Sequence, residues 1–436
     1  MDKIYNVSSK RMVTVNGLQY KKLLKEGYYV EQNQLIAPTK VKNPVESTKI
    51  ITPVISYELP NDMIGEIINH TKTSDLLALC QTNTQFRNAC QHEQRLAILK
   101  QQRYQTITLS NHNTFFIKNS TLYGVGSNAH GQLGQGKKGG KRSTTVLIPI
   151  PNNAKPLAVS CGNNHMLVLT SNGLYGCGHN HDKQLSTQKT NQILTLQPIL
   201  SNARVLMMQC IGNVSYVLTD TNLYILSPQG FQQIDLGVNT PSTILFIHGS
   251  NDKTYIITKS GLYALMFNQL KNMHVVKIPI EGDDILNVSS GRGFVLVLTR
   301  TGLYGQGVND AGQLGLGYLS KEVKKFVKIP IDNVVGIASC NLYSVALTLS
   351  GDVYGFGYYG MESGYWAYPL HAGGHNAKQS TPIKINIDAK VFHVVAGPGC
   401  MLLQTDQGDM ACGYNYFGQL GKANYLGHNG FELCQY

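Results

Sequence analysis

An internal repeat constrains the fold of this chain more than any other feature of its sequence. Three copies keep a full motif, as LYGVGSNAHGQLG, LYGQGVNDAGQLG and MACGYNYFGQLG. Seven copies can be aligned, and they begin at Leu122, Leu174, Leu223, Leu262, Leu303, Val353 and Met410. The steps between these starts are 52, 49, 39, 41, 50 and 57 residues. Units of this size cannot bury a core alone, so they are expected to stack on their neighbours.

Each copy predicts three or four short strands. An apolar segment and a turn precede each start, as in FVLVLTRTG, and another apolar segment lies further upstream, as in ILNVSSG. These segments alternate like half-buried strands and show no helical period. Glycine is frequent, at 44 of 436 residues, and only 14% of residues are charged. The pattern predicts a mainly β fold, a seven-bladed β-propeller over residues 105–436, in which copies three and four are short and irregular because they lack GQLG.

The positions of the motif that recur among the copies are interpreted as structural. Glycines at alternate positions are expected to let backbones approach closely, and Asn-x-x-Gly to form a turn. Leu133, Leu314 and Leu420 are expected to fill space between blades. A second motif, Cys-Gly-x-x-His, occurs once, at residues 161–165. Together these motifs resemble the repeat of the regulator-of-chromosome-condensation family, which implies a seven-bladed propeller.

A glycine-poor segment precedes the repeats, and its apolar residues recur at helical spacing over residues 57–104. Pro60 suits the first turn of one helix, and Ser74 is a good N-cap for a second. The order Leu59-Pro60-x-Asp62-Met63, then Ile67-Ile68, then DLLALC and Phe86-Arg87 resembles an F-box. That resemblance implies a small helical domain that docks on the Skp-type adaptor of a cullin ubiquitin ligase. The residues assigned to this contact are Leu59, Pro60, Met63, Ile64 and Leu76.

Residues 1–36 are predicted to form a small α+β module, and residues 37–56, which contain three prolines, an extended linker. In the module a strand, an Asn16-Gly17 turn and a helix ended by Gly27 are expected. It is similar to a module found at the N-termini of proteins from large DNA viruses, although the paired cysteines often associated with that module are missing. The likeness implies a viral source.

Charge and targeting signals bound the environment of the protein. The net charge of +12 divides into 9 basic and 4 acidic groups over residues 1–57, 5 and 5 over residues 58–105, and 23 and 16 over residues 106–436. This spread is not the clustered stripe of a nucleic-acid face, so nucleic acid or chromatin is only weakly favoured as a partner. No signal peptide or membrane span is recognised, which predicts an intracellular protein, cytoplasmic or nuclear. Nine cysteines without a C-x-x-C pair indicate reduced thiols.

Formal motifs for catalysis or metal binding are set aside. Gly131 to Lys137 matches most of a phosphate loop but no helix follows, and Cys177, His179 and His181 occupy a degraded repeat turn without an evident fourth ligand. We therefore predict no enzyme activity, no cofactor and no metal site. The basic residues of the stretch 137–142 are interpreted as a solvated loop that is able to touch an acidic partner.

The longest repeat step contains an aromatic insert after Val353. Its target-binding candidates are Tyr358, Tyr359, Tyr365, Trp366 and Tyr368. Large aromatic side chains are favoured binding anchors. The alternative is a loop that folds over the edge of the propeller and buries its own rings.

Two functions from different classes are compatible with this organisation. The first is a non-catalytic substrate receptor, with the F-box bound to the adaptor and cullin complex and the propeller bound to a target protein. The second is guanine-nucleotide exchange on a Ran-type GTPase, although the exchange wedge of the name-giving family member is an insertion in the third blade and copy three is short. A propeller scaffold without a ligase role is a further alternative.

Overall fold

The computed structural model describes residues 106–185, 190–200, 203–228, 230–236, 244–250, 253–267, 273–280, 285–358, 378–421 and 428–434, with the backbone of four short strands between residues 3 and 36. The chain divides into two compact units, Met1–Glu58 and Leu59–Tyr436. The predicted linker and the predicted helices of residues 57–104 lie outside the described residues.

The N-terminal unit contains one small sheet. Its strands are β1 (Lys3–Asn6), β2 (Arg11–Thr14), β3 (Tyr29–Glu31) and β4 (Gln34–Ile36). The strand order is β2-β1-β4-β3, with β1 antiparallel to β2 and parallel to β4. The helix predicted before Gly27 falls outside the described residues.

The second unit contains seven sheets of four sequential antiparallel strands, which are the seven blades of a propeller. Blade one comprises β5 (Ile107–Leu109), β6 (Asn113–Lys118), β7 (Thr121–Ser127) and β8 (Lys141–Leu147). A short 3-10 helix, Pro151–Asn153, precedes blade two. Blade two comprises β9 (Pro156–Cys161), β10 (His165–Thr170), β11 (Gly173–His179) and β12 (Gln192–Leu200). Blade three comprises β13 (Val205–Ile211), β14 (Val214–Thr219), β15 (Leu223–Ser227) and β16 (Gly230–Ile234).

The remaining blades have the same strand order. Blade four comprises β17 (Ile244–Gly249), β18 (Thr254–Thr258), β19 (Gly261–Phe267) and β20 (Met273–Ile278). Blade five comprises β21 (Ile285–Gly291), β22 (Phe294–Thr299), β23 (Gly302–Asn309) and β24 (Ser320–Lys328). Blade six comprises β25 (Val334–Cys340), β26 (Tyr343–Thr348), β27 (Val353–Gly357) and β28 (Gln379–Ile385). Blade seven comprises β29 (Val391–Gly397), β30 (Cys400–Thr405), β31 (Gly408–Gly413) and β32 (His428–Leu433). The prediction of a mainly β, seven-bladed propeller is confirmed.

The ring closes without exchange of a strand, because every blade is built from one continuous piece of chain. The first strands of successive blades contact one another, and β29 of the last blade contacts β5 of the first. Thr114 Oγ1 donates to the carbonyl oxygen of Gln419 at 2.6 Å, and Gln419 Nε2 donates to the carbonyl oxygen of Asn111 at 3.2 Å. Side-chain hydrogen bonds and packing therefore join the two ends of the propeller.

The second strands form the centre of the core. All six residues are buried in β10 (HMLVLT), β22 (FVLVLT) and β26 (YSVALT). Continuous apolar runs of this length are typical of strands covered on both faces. Packing extends between blades: Leu303 and Leu314 of blade five share a cluster with Ile337 and Phe356 of blade six. Each blade thus buries its faces only in the presence of its neighbours.

The sequence predicts three or four strands in each copy without locating the fourth, and several of the fourth strands are polar. In β8 (KRSTTVL) and β24 (SKEVKKFVK) exposed and half-buried residues dominate. Each of these strands hydrogen-bonds to only one neighbour and lies at the outer edge of its blade. Charged edge strands of this kind oppose unwanted pairing with other chains.

Blades three and four are short, as predicted, but the prediction that they are irregular is wrong. Each is a complete four-stranded sheet. In blade three only residues 228 and 229 separate β15 from β16. A tight connection therefore replaces the long GQLG loop, and the ladder of the sheet is preserved.

Candidate interaction face

The turns between first and second strands and the loops between third and fourth strands lie on the same face of the propeller. First and third strands run in the same direction in each blade, since both are antiparallel to the second. The two kinds of loop are joined by hydrogen bonds from Ser127 N to the His112 carbonyl oxygen (2.9 Å) and from His179 N to the Asn164 carbonyl oxygen (2.8 Å). We call this surface the loop face.

The loops between third and fourth strands of blades one and five share one polar framework. In blade one Asn128 Oδ1 accepts from Leu133 N at 3.0 Å, and Asn128 Nδ2 donates to the Lys137 carbonyl oxygen at 2.8 Å. In blade five Asn309 makes the equivalent bonds with Leu314 N (3.0 Å) and with the Tyr318 carbonyl oxygen (2.8 Å). The repeated asparagine fixes both ends of the loop, so the side chains at its tip are free to differ between blades.

The GQLG turn also docks each loop on the next blade. Gly312, at φ +80°, lies so close to β28 of blade six that a Cβ atom would stand 2.7 Å from the Gln379 carbonyl oxygen. Gly418, at φ +78°, approaches Ser143 of blade one in the same way, and a Cβ would stand 2.7 Å from its Cα. Only glycine combines this backbone conformation with so close a contact.

Blade one presents a basic loop tip. Lys137, Lys138 and Lys141 are exposed and Arg142 is half-buried. Gly139 and Gly140, at φ +100° and +80°, have no atom within 4 Å of where a Cβ would stand, so this part of the tip projects into open space.

An aromatic cluster from blade seven borders the basic tip. The Tyr416 side chain is 50% exposed, and Lys141 Nζ lies 3.2 Å from the centroid of its ring. Phe417 packs edge-on against Tyr416 (5.1 Å between centroids) and against His112 of blade one (4.4 Å). The contact brings together the first and last repeats, which sequence spacing alone does not reveal.

A row of histidines continues across the loop face into blade two. The ring centroids of His130 and His179 are 4.9 Å apart, and those of His179 and His181 are 6.0 Å apart. Burial lowers the pKa of His130 below its usual value, and the neighbouring His179 adds to this effect. Burial also lowers the pKa of His179, while Asp182 opposes the shift. Among the described residues no group of three His, Cys, Asp or Glu side chains is arranged to hold a metal ion.

A central channel opens between the first strands and holds a cavity of about 350 Å³. Its wall includes His248 of blade four and His393 of blade seven, and Arg292 contributes to it from a turn of the loop face. Burial lowers the pKa of both histidines to about 4. These rings are therefore neutral near pH 7.

Four cysteines of the propeller are unsuited to nucleophilic chemistry: Cys161, Cys177 and Cys210 are buried, and Cys340 is half-buried. Burial raises the pKa of Cys161 to about 11 and that of Cys177, Cys210 and Cys340 to about 12. None of these four residues forms a disulfide. Because the thiolate is the reactive form, these side chains remain inert thiols.

Most of the site residues predicted from sequence lie outside the described residues. Tyr358 follows β27 on the loop face, where its backbone N donates to the Leu342 carbonyl oxygen at 2.8 Å. The other aromatic candidates, Tyr359, Tyr365, Trp366 and Tyr368, lie outside the described residues. The same holds for the adaptor-binding candidates Leu59, Pro60, Met63, Ile64 and Leu76. The aromatic cluster of blade seven was missed, although NYFGQLG carries two rings inside a repeat turn.

Known proteins share both parts of the chain. The model of the regulator of chromosome condensation (RCC1) repeat matches residues 119–169, and a second model of this repeat matches residues 157–184. The F-box domain model matches residues 57–96.

No described helix is long and apolar enough to cross a membrane.

Relatives with similar sequences include the X-linked retinitis pigmentosa GTPase regulator of Canis lupus familiaris, which is 30% identical over 300 residues, covering 56% of this chain and 27% of that protein. The Mus musculus counterpart is 27% identical over 302 residues, covering 56% and 28%. The chain thus spans little more than a quarter of the length of these relatives.

Two solved structures share the fold. Human WBSCR16 superposes with a TM-score of 0.57 at 17% identity, covering 68% of this chain and 85% of that one. Yeast RCC1 (Prp20), from its complex with Kap60, superposes with a TM-score of 0.60 at 16% identity, covering 89% and 90%. The chain therefore contains regulator of chromosome condensation repeats over residues 119–184, within a seven-bladed propeller, and an F-box domain over residues 57–96.

Proposed function

We propose that this protein is a non-catalytic substrate-receptor subunit of a cullin-type ubiquitin ligase. The observation that carries the proposal is the F-box match over residues 57–96, directly ahead of the propeller. The F-box docks on the Skp-type adaptor through Leu59, Pro60, Met63, Ile64 and Leu76. The propeller binds a target protein, and neither matching family model describes an enzyme.

The loop face supports target binding by the propeller. Its loops are anchored by repeated Asn side chains and docked on neighbouring blades, while their tips vary from Lys137-Lys138 in blade one to Tyr318-Leu319 in blade five. Tyr318 and Leu319 are 48% and 50% exposed. Binding residues placed on loops of a rigid scaffold are a recurrent arrangement in proteins. The aromatic insert that begins at Tyr358 belongs to the same face in this proposal.

The test is capture of a Skp-type adaptor by the full chain. The double variant Leu59→Ala/Pro60→Ala removes two predicted contact residues, and Tyr318→Ala/Leu319→Ala is the matched control on the propeller. We expect the first variant to lose the adaptor and the control to retain it. Equal capture by wild type and Leu59→Ala/Pro60→Ala overturns the proposal and favours a scaffold without a ligase role.

Nucleotide exchange is the second candidate, favoured by the likeness to the retinitis pigmentosa GTPase regulator. The family resemblance assigns the exchange wedge to an insertion in the third blade. In blade three, two or three residues separate successive strands, at residues 212–213, 220–222 and 228–229. We therefore expect no acceleration of nucleotide release from a Ran-type GTPase, and a tenfold acceleration by the full chain would favour exchange.

The proposal keeps the domain boundaries predicted from sequence. Residues 1–36 form the α+β module, 37–56 the linker, 57–104 the F-box-like domain and 105–436 the propeller. The protein acts inside the cell, in the cytoplasm or nucleus. If its source is a virus, that cell is the host.

A further inference from the structure

The charge of the propeller is concentrated in its first two blades. Residues 106–200 contain one acidic residue, Asp182, and eight basic residues: Lys118, Lys137, Lys138, Lys141, Arg142, Lys155, Lys183 and Lys189. Their net charge is 8 − 1 = +7, whereas residues 201–436 carry 15 basic and 15 acidic groups, a net charge of 0. The spread deduced from three long segments therefore does not hold within the propeller.

Half of these basic residues lie together on the loop face. Lys137, Lys138, Lys141 and Arg142 occupy the loop that leads from β7 into β8 and the start of β8 itself. None of the four is in an ion pair among the described residues, where the pairs are His181 with Asp182 and Lys384 with Asp352. Exposed ammonium groups without a carboxylate partner attract acidic ligands.

The aromatic cluster positions one of these charges. Lys141 Nζ lies 3.2 Å from the Tyr416 ring centroid and 5.3 Å from that of Phe417. A ring face attracts a cation without neutralising it. Phe417 is in turn braced by His112. Lys141 is thus oriented by the last repeat while its full charge is available to a ligand.

We propose that the basic tip, defined as Lys137, Lys138, Lys141 and Arg142 with Tyr416 and Phe417, binds a segment of the target protein rich in Asp and Glu. This inference rests on the proposed function and names the chemistry by which the receptor recognises its target. The apolar rings at the border of the basic tip accommodate an apolar side chain flanking the acidic run.

The contacts favour an acidic peptide over nucleic acid. Binding of a single strand uses open aromatic faces for base stacking, but Lys141 covers a face of Tyr416. A nucleic-acid surface also needs cations along an extended track, while here they fall within residues 137–142 and blades three to seven add no net charge.

The test uses a fluorescent peptide of alternating Asp and Glu with one Phe, and the full-length protein. Lys137→Glu/Lys138→Glu is the test variant, and Lys118→Glu/Lys155→Glu is the matched control, since it changes the charge of exposed lysines equally at the opposite edge of the same blades. We expect the test variant to weaken binding at least tenfold and the control less than twofold. Tyr416→Ala should weaken binding, and Tyr416→Phe should preserve it.

Four outcomes would overturn the inference. They are no binding by the wild type, equal losses in both double variants, tighter binding of a phosphoserine peptide of equal charge, and tighter binding of a single-stranded oligonucleotide. Adaptor capture separates this inference from the proposed function. Lys137→Glu/Lys138→Glu should retain the adaptor, and Leu59→Ala/Pro60→Ala should retain the acidic peptide.

Discussion

Three histidines predict that acid destabilises the propeller: His165 is buried, and His248 and His393 are half-buried in the wall of the channel. Burial lowers the pKa of His165 from 6.5 to about 3, and that of His248 and His393 from 6.5 to about 4. His165 Nε2 lies 2.9 Å from Ser215 Oγ. Among the described residues, the Nδ1 atoms of all three rings have no hydrogen-bond partner. The native state therefore favours the neutral rings.

The sign and size of the effect follow from these pKa values. Below pH 6.5 the unfolded chain binds protons that the native state refuses, so stability falls as the pH falls, until about pH 4 for His248 and His393 and about pH 3 for His165. Between pH 7.5 and 5.0 each ring lowers the free energy of unfolding by about 2 kcal/mol, because a difference of one pKa unit between the native and unfolded states corresponds to about 1.4 kcal/mol. The total of about 6 kcal/mol is comparable with the whole stability of many domains, about 5–15 kcal/mol.

Other titrating groups modify this total without changing its sign. Burial also lowers the pKa of the half-buried His130 and His179, which therefore add to the loss. Burial raises the pKa of Asp409, which works in the opposite direction as the pH falls.

The assay is urea unfolding of the full chain, followed by circular dichroism at pH 7.5 and 5.0. We expect a lower free energy of unfolding at pH 5.0, by about 6 kcal/mol, and a loss smaller by about 2 kcal/mol in His165→Gln. NMR titration of the His165 ring should show no protonation above pH 5. Equal stability at both pH values, or an unchanged pH-dependent loss in His165→Gln, would refute the reasoning.

Three further substitutions test the packing of the blades by urea unfolding. Leu314→Ala removes a side chain that is 0% exposed between blades five and six and should cost about 2–5 kcal/mol, and a loss below about 1 kcal/mol would contradict its role. Gly312→Ala should lower the free energy of unfolding more than Gly139→Ala. Both glycines have positive φ, but only at Gly312 would a new Cβ stand within 3 Å of other backbone atoms. Equal losses would show that this contact is unimportant. Lys384→Gln breaks an exposed ion pair with Asp352 and should leave the midpoint of urea unfolding unchanged. A measurable shift of that midpoint would show that the ion pair stabilises the propeller.

The fold was predictable where burial leaves a repeated pattern. Second strands such as β22 are buried at every position and carry a run of apolar residues. The turns of GQLG repeat because both the backbone conformation and the space for Gly312 and Gly418 require glycine. The fourth strands could not be located, because an edge strand such as β24 meets solvent on one side and accepts almost any polar sequence. The regularity of blade three was missed because the two-residue connection between its third and fourth strands leaves no motif.

The candidate site depended on tertiary structure to a greater degree. The basic run of residues 137–142 is visible in the sequence, as is the lack of acidic residues around it. Its aromatic border is not visible, because Tyr416 and Phe417 belong to the last repeat and reach Lys141 only when the ring closes. Likewise, the histidine row joins separate loops of blades one and two.

The number of blades and the strands that fill the core could be read from the repeat period, because local burial and local turns impose that period on the chain. The order of apolar residues ahead of the repeats was enough to predict the F-box. Which loops share a face and which repeats meet became apparent only in the folded ring. Closure of the ring places the first and last blades in contact, and no local property of either repeat encodes that neighbour.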